Sequence, residues 1–264
     1  MHDNNWRKTE VEVLKKTSIG AHYVELKRRL LISVSAWIAG MILSFYFAED
    51  VFAFLTRPLL EIFASDDSGY KHKLIYTHLT EGLMTYFKLS IFGGIIIAHP
   101  IILSQFYFFL APGLYKREKK ALIPYMIAAP LLFFIGAAVV YYMVIPAAWR
   151  FFLSFERINY ENMPPIVLEA KISEYLDLMI EMVIGFGVAF QLPVAISLLA
   201  RVGFVTSKAL IRLRKHAVVA IFIAAAILTP PDVLSQIILA LPLLLLYEVS
   251  IIICKIMEKK KANA

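Results

Sequence analysis

Leu30–Phe47 is a run of 18 residues without a charge, set directly behind three cations, Lys27, Arg28 and Arg29. At ~1.5 Å per residue such a run just crosses the ~30 Å hydrocarbon core of a bilayer as a helix. Inside lipid the backbone must satisfy its own hydrogen bonds, so a run of this kind folds as a helix or does not insert. Comparable runs follow at Leu89–Ala111, Ala121–Ile145, about Leu176–Ala200, Ala217–Leu228 and Val233–Cys254. The pattern predicts an all-α integral membrane protein with six transmembrane helices. Composition agrees, because 60% hydrophobic and 18% charged residues over 264 positions, at a mean hydropathy of +0.71, exceed what a soluble domain can bury.

One transmembrane domain is expected, with residues 1–29 as an N-terminal arm, 30–254 as the bundle and 255–264 as a tail. The connection Ala48–Glu81 holds Pro58 and an apolar patch, Val51–Leu60, that reads as lying against the membrane surface. Pro100 predicts a kink in the second span, and Pro146 reads as the end of the third. The second outer connection runs from Ala147 to about Ser173, and the fourth span carries Asp177 and Glu181 in its first turns. Ala217–Leu228 offers 12 residues, or ~18 Å of helix, so the fifth and sixth segments read as short, either re-entrant or crossing a thinned bilayer. The first apolar run is too long and too deep for a removable leader and lacks a small-residue cleavage pattern.

Basic residues cluster beside the apolar runs. Assigning the N-terminal arm, the second and fourth connections and the tail to the cytoplasm places 20 of the 27 Lys and Arg there, which puts both termini inside. The net charge of +7 is thereby a matter of membrane orientation, and nucleic acid is not expected as a partner. A single cysteine, Cys254, leaves no internal disulfide or thiolate cluster. No hydrolase, zinc or phosphate-binding motif occurs, and the six histidines show no metal-ligand spacing, so neither enzyme activity nor a cofactor or metal is expected.

Polar groups inside the apolar runs keep a competing class open. His99, Gln191 and Glu248 would suit an ion-coupled transporter or channel, although no internal repeat is evident. His99, next to Pro100, reads as a neutral hydrogen-bonding residue or as a proton relay, and Glu248 wants a partner. Glu25 has two readings on residue chemistry alone. It pairs with Arg29 at i,i+4 spacing, or it is an anion kept on a cationic surface to receive another chain's cation. Glu118, between Arg117 and Lys119, poses the same choice.

Six stretches carry a resemblance. They are His22–Leu26 with its basic triplet, Pro58-Leu59, Thr80–Gly82 leading to Phe87–Ser90, Gln105–Phe109 followed by Ala111–Lys120, Phe186–Pro193, and Leu228–Gln236. In order and spacing they are similar to the TatC family, the multispanning receptor subunits of the twin-arginine protein translocase. The resemblance implies a glove-shaped, concave six-helix bundle in a bacterial cytoplasmic membrane. It also implies binding of the Arg-Arg signal peptides of folded precursors, and export driven by the proton gradient together with single-span partners of the TatA and TatB type, in complexes of several copies. Carried over by position, Glu25 and Glu118 would receive the two arginines, and Phe109, Leu114 and Tyr115 would line that patch. Thr229 and Gln236 fall at a polar cluster where partner helices dock, and Gln191 faces the bundle interior or makes an interhelical hydrogen bond. Pro58, Glu81, Lys88 and Asp232 are further family positions; Glu81 and Lys88 would be accounted for by mutual charge pairing, and Asp232 by capping the sixth helix. Lys27 stands where the family commonly has arginine, which would pass the bidentate role to Arg28.

Overall fold

The charges ahead of the first apolar run do not interrupt the helix. In the computed structural model, which describes residues 19–65, 70, 72–110, 123–156, 164, 166–228 and 233–262, helix α1 runs Ile19–Tyr46, so Glu25 and Arg29 ride on the same rod as the membrane span. Helix α2 (Ala48–Ala64) follows, then β1 (Leu74–Ile75) and α3 (Glu81–Leu110), which passes unbroken through Pro100. Helix α4 (Ile123–Val139), a π turn (Val140–Val144) and α5 (Ile145–Leu153) form one continuous segment. Next come β2 (Ala170–Lys171), α6 (Ile172–Ala189), α7 (Leu192–Val202), α8 (Ser207–Leu228) and α9 (Val233–Ala262). Among the described residues, five segments are long and apolar enough to cross a membrane: His22–Tyr46, Glu81–Phe109, Ile123–Leu153, Ile172–Arg201 and Gln236–Lys260. The chain is a multi-pass membrane protein of all-α class. The predicted fifth span is α8, whose first half carries Lys208, Arg212, Arg214 and Lys215, leaving the short apolar length read from the sequence. The expected short sixth helix is corrected in one respect: α9 reaches 30 residues, because the helix carries on through Cys254 into the basic tail.

Small residues let the first two spans approach closely. A methyl group at Gly40 would sit 2.9 Å from the carbonyl of Gly94, and one at Gly93 would strike Ser44. Antiparallel packing of α1 on α3 extends from these contacts to Trp37, whose indole N–H donates to the Ile91 carbonyl at 3.2 Å. A second close seam joins α4 to α6. Gly187 lies against the ring of Phe133, Gly136 against Phe190, and the His99 ring of α3 also stacks on Phe133, at 3.7 Å between centroids.

Two proline expectations are corrected. Pro146 does not end the third span. The π turn widens the helix one residue earlier, with the Ile145 N–H donating to the Val140 carbonyl, and Pro146 then enters the first turn of α5, where no donor is required of it. The apolar patch around Pro58 does not simply lie on a membrane surface; Leu55, Pro58, Leu59 and Ile62 of α2 are buried, and α2 packs across α3 and α5. Pro58 has no N–H to offer the carbonyl four residues earlier, that of Phe54. The hydroxyl of Tyr141 donates to that carbonyl at 2.7 Å, and Tyr175 donates to the neighbouring Leu55 carbonyl at 2.5 Å.

A short parallel ladder joins the outer connections, Leu74 pairing with Ala170 and Ile75 with Lys171, and within the second connection Glu156 accepts the Leu168 N–H at 2.6 Å.

An unpaired buried carbonyl costs ~1–3 kcal/mol. Tyr141→Phe should therefore destabilise the protein by about that amount in thermal unfolding, and much less in a Pro58→Ala background, where the restored N–H can take the Phe54 carbonyl. Equal losses in both backgrounds would show that Tyr141 and Pro58 are not coupled.

Candidate functional site

The beginning of α1 and the end of α3 lie side by side, and the side chains singled out there meet. His22, Glu25 and Arg29 recur at i, i+3 and i+7, which places them on one face of α1. That face meets Gln105, Phe108 and Phe109 of α3. The His22 ring lies 4.5 Å from that of Phe109, tilted by 32°. The Arg29 guanidinium donates through Nη1 to Gln105 Oε1 at 3.0 Å, reaches Glu25 Oε1 through Nη2 at 3.5 Å, and sits 5.2 Å over the Phe108 ring. Glu25 and Arg29 are half-buried, each side chain 29% exposed, so their contact is partly screened and leaves the carboxylate accessible. Lys27 and Arg28 point away from this face and are exposed. The guanidinium beside Glu25 is thus that of Arg29, not Arg28. Gln105 and Phe108 fall within Gln105–Phe109, where the resemblance gives them no role; the signal for them is their position opposite the Glu25 face in an antiparallel pair, which no local spacing reveals. Leu114, Tyr115 and Glu118 lie outside the described residues, as do Thr229 and Asp232.

The opposite end of the bundle holds Glu81 and Lys88, and they do not pair with each other. Glu81 accepts backbone N–H groups from Thr77 at 2.8 Å, His78 at 3.3 Å and Ser173 at 3.3 Å. Ser173 is in the first turn of α6, where N–H groups have no partner within the helix. One carboxylate therefore ties the start of α3 to the start of α6. Lys88 instead meets both carboxylate oxygens of Asp177 at 2.8 Å. Pro58 is buried in α2, as described above.

Gln191 occupies the break between α6 and α7, just ahead of Pro193, and its amide donates to the Ala129 carbonyl of α4 at 2.9 Å. That is the interhelical hydrogen bond of the two alternatives. Gln236 of α9 donates to the Phe222 carbonyl of α8 at 2.9 Å. Glu248 finds its partner in Arg214, at 2.7 Å across the same helix pair. Glu258, in the helical tail, accepts from both the N–H and the hydroxyl of Ser207 and so closes the start of α8. His99 is buried, and its Nε2 has no hydrogen-bond partner among the described residues.

An apolar hollow of about 560 Å³ opens among Leu43, Phe54, Phe92, Ile96, Phe134 and Tyr141, with Asp50 as its one charged lining residue. Such a lining offers no path of ligands to a hydrated ion. Among the described residues no group of three or more His, Cys, Asp and Glu could hold a metal.

Comparison with known proteins follows the same outline. Residues 21–242 match the family model of TatC, described as a Sec-independent protein translocase protein. The Sec-independent protein translocase protein TatC of Rickettsia prowazekii is 46% identical over 245 residues, 93% of this chain and 95% of the relative. That of Magnetococcus marinus is 42% identical over 253 residues, 96% of this chain and 89% of the relative. A crystal structure of a twin arginine translocase receptor, TatC, superposes with a TM-score of 0.73 at 37% identity, covering 89% of this chain and 98% of that one.

If Glu81 caps backbone and Lys88 pairs with Asp177, the losses in melting temperature from Glu81→Ala and Lys88→Met should add in the double variant. A double variant no worse than the poorer single one would restore the direct pair.

Proposed function

The chain belongs to the TatC family of Sec-independent protein translocase proteins, and on that premise we propose that it is the receptor subunit that binds twin-arginine signal peptides of folded precursors. One observation carries the residue-level reading. Glu25 presents a partly exposed acidic side chain on a face it shares with aromatic rings and a hydrogen-bonding amide, at the end of the bundle flanked by Lys27 and Arg28. A planar guanidinium fits such a place better than an ammonium does, since its fork can bond a carboxylate and a neighbouring acceptor at once and its face can lie on a ring. Glu118 is the second acid in this proposal, and Phe109, Leu114 and Tyr115 are the apolar lining.

The same reading places the chain in a bacterial cytoplasmic membrane with both termini inside, supported by the bias of Lys and Arg toward one set of connections. Single-span partners of the TatA and TatB type would dock beside Thr229 and Gln236. In support, Gln236 donates its amide to Phe222, and its side-chain carbonyl accepts no hydrogen bond among the described residues. Assembly into complexes of several copies and transport powered by the proton gradient belong to this proposal.

Photocrosslinking from positions 25 and 118, in membranes that also hold the single-span partners, tests the site. An Arg-Arg precursor should crosslink from both positions, and its Lys-Lys twin should lose most of the yield, since one charge-assisted bond of ~1.5–3 kcal/mol corresponds to roughly tenfold or more in affinity. Absence of crosslinks from both positions while the partners still associate would move the receptor surface elsewhere.

A further inference from the structure

Arg29 is bound in a way that a purely structural arginine does not require. A guanidinium built in for stability commonly sets its fork on one carboxylate through two short, parallel bonds. Here the fork is divided. Its 3.0 Å bond goes to the neutral amide of Gln105, while the contact to the acid, Glu25, is long at 3.5 Å. The guanidinium carbon lies over the Phe108 ring, and its Nε is buried without an acceptor among the described residues. Ser33 bonds to the Arg29 carbonyl at 3.0 Å, an attachment that fixes the backbone and not the side chain.

We propose that Arg29 is a resident arginine, which keeps Glu25 engaged while the receptor is empty, and that an arginine arriving from outside binds by exchange with it. Arg29 then releases Glu25 and stays held by Gln105 and Phe108. The inference rests on Glu25 being an acceptor for the incoming arginine. The divided fork suits such an exchange, because the contact that must be given up is the weaker of the two and the one that remains needs no second carboxylate. One guanidinium replaces another on Glu25, so the partly buried acid is never left unpaired. The toll is the same for every incoming cation. Arg29 therefore sets the threshold affinity, while preference for arginine over lysine stays with the geometry around Glu25.

Binding of a fluorescent synthetic peptide with two adjacent arginines ahead of an apolar stretch, and of its Lys-Lys twin, to the full-length protein in nanodiscs tests this. Arg29→Gln should tighten both peptides by about two- to fivefold, the worth of a partly exposed ion pair, and leave their ratio unchanged while the melting temperature falls. Arg29→Lys keeps the charge but cannot hold Gln105 and Glu25 together, so it should tighten binding by less. Affinity and stability moving in opposite directions is the mark of a resident competitor. Weaker or unchanged binding in Arg29→Gln would overturn the proposal, and Arg29→Lys, read the same way, decides if the first variant does not fold. Glu25→Gln separates the two levels: peptide binding that survives it refutes Glu25 as the acceptor, whereas failure of the Arg29 variants alone leaves that reading standing.

Discussion

A bilayer supplies no water to complete a hydrogen bond that the chain leaves open, and this chain puts prolines in or beside most of its helices. Three of them are accommodated by three different local devices. At Pro58 the orphaned carbonyl is taken by Tyr141, with Tyr175 serving the next one. At Pro146 a π turn changes the hydrogen-bond pattern just before the residue that cannot donate. At Pro193 the helix stops and restarts, with Gln191 spending its side chain on the neighbouring helix. The bundle depends on these completions, because those at Pro58 and Pro193 also fix which helices touch. The tyrosines hold α2 against the third and fourth spans, and Gln191 holds the fourth span to the third.

Span positions were legible in the sequence because length and apolarity are local properties, readable without neighbours. Helix ends were less so. The first helix takes in Glu25 and Arg29 although they are polar, and the last runs on through Lys255, because a helix end in water is set by caps and side-chain partners and not by the lipid boundary. Pro146 misled for a related reason: a proline ends a regular helix, but one turn of wider pitch removes the conflict.

At the candidate site the acid was visible from its cationic surroundings, while its true neighbours were not. Gln105 and Phe108 reach Arg29 only because small residues, Gly40, Gly93 and Gly94, let two helices run close enough to bring positions 76 apart in sequence into contact. Charge pairing was harder still to foresee. Glu81 and Lys88 are close in sequence and opposite in sign, yet the carboxylate goes to backbone donors at two helix starts and the ammonium to Asp177. Unpaired N–H groups at a helix start compete for an acid as effectively as a lysine does.

The seam at Gly187 bears on motion. A helix whose backbone rests directly on an aromatic ring, with His99 stacked on that same ring, cannot turn about its own axis without displacing both rings. Any movement passed through the fourth span must then be a tilt or a slide that carries Phe133 and His99 along, so the second, third and fourth spans answer a load as one lever.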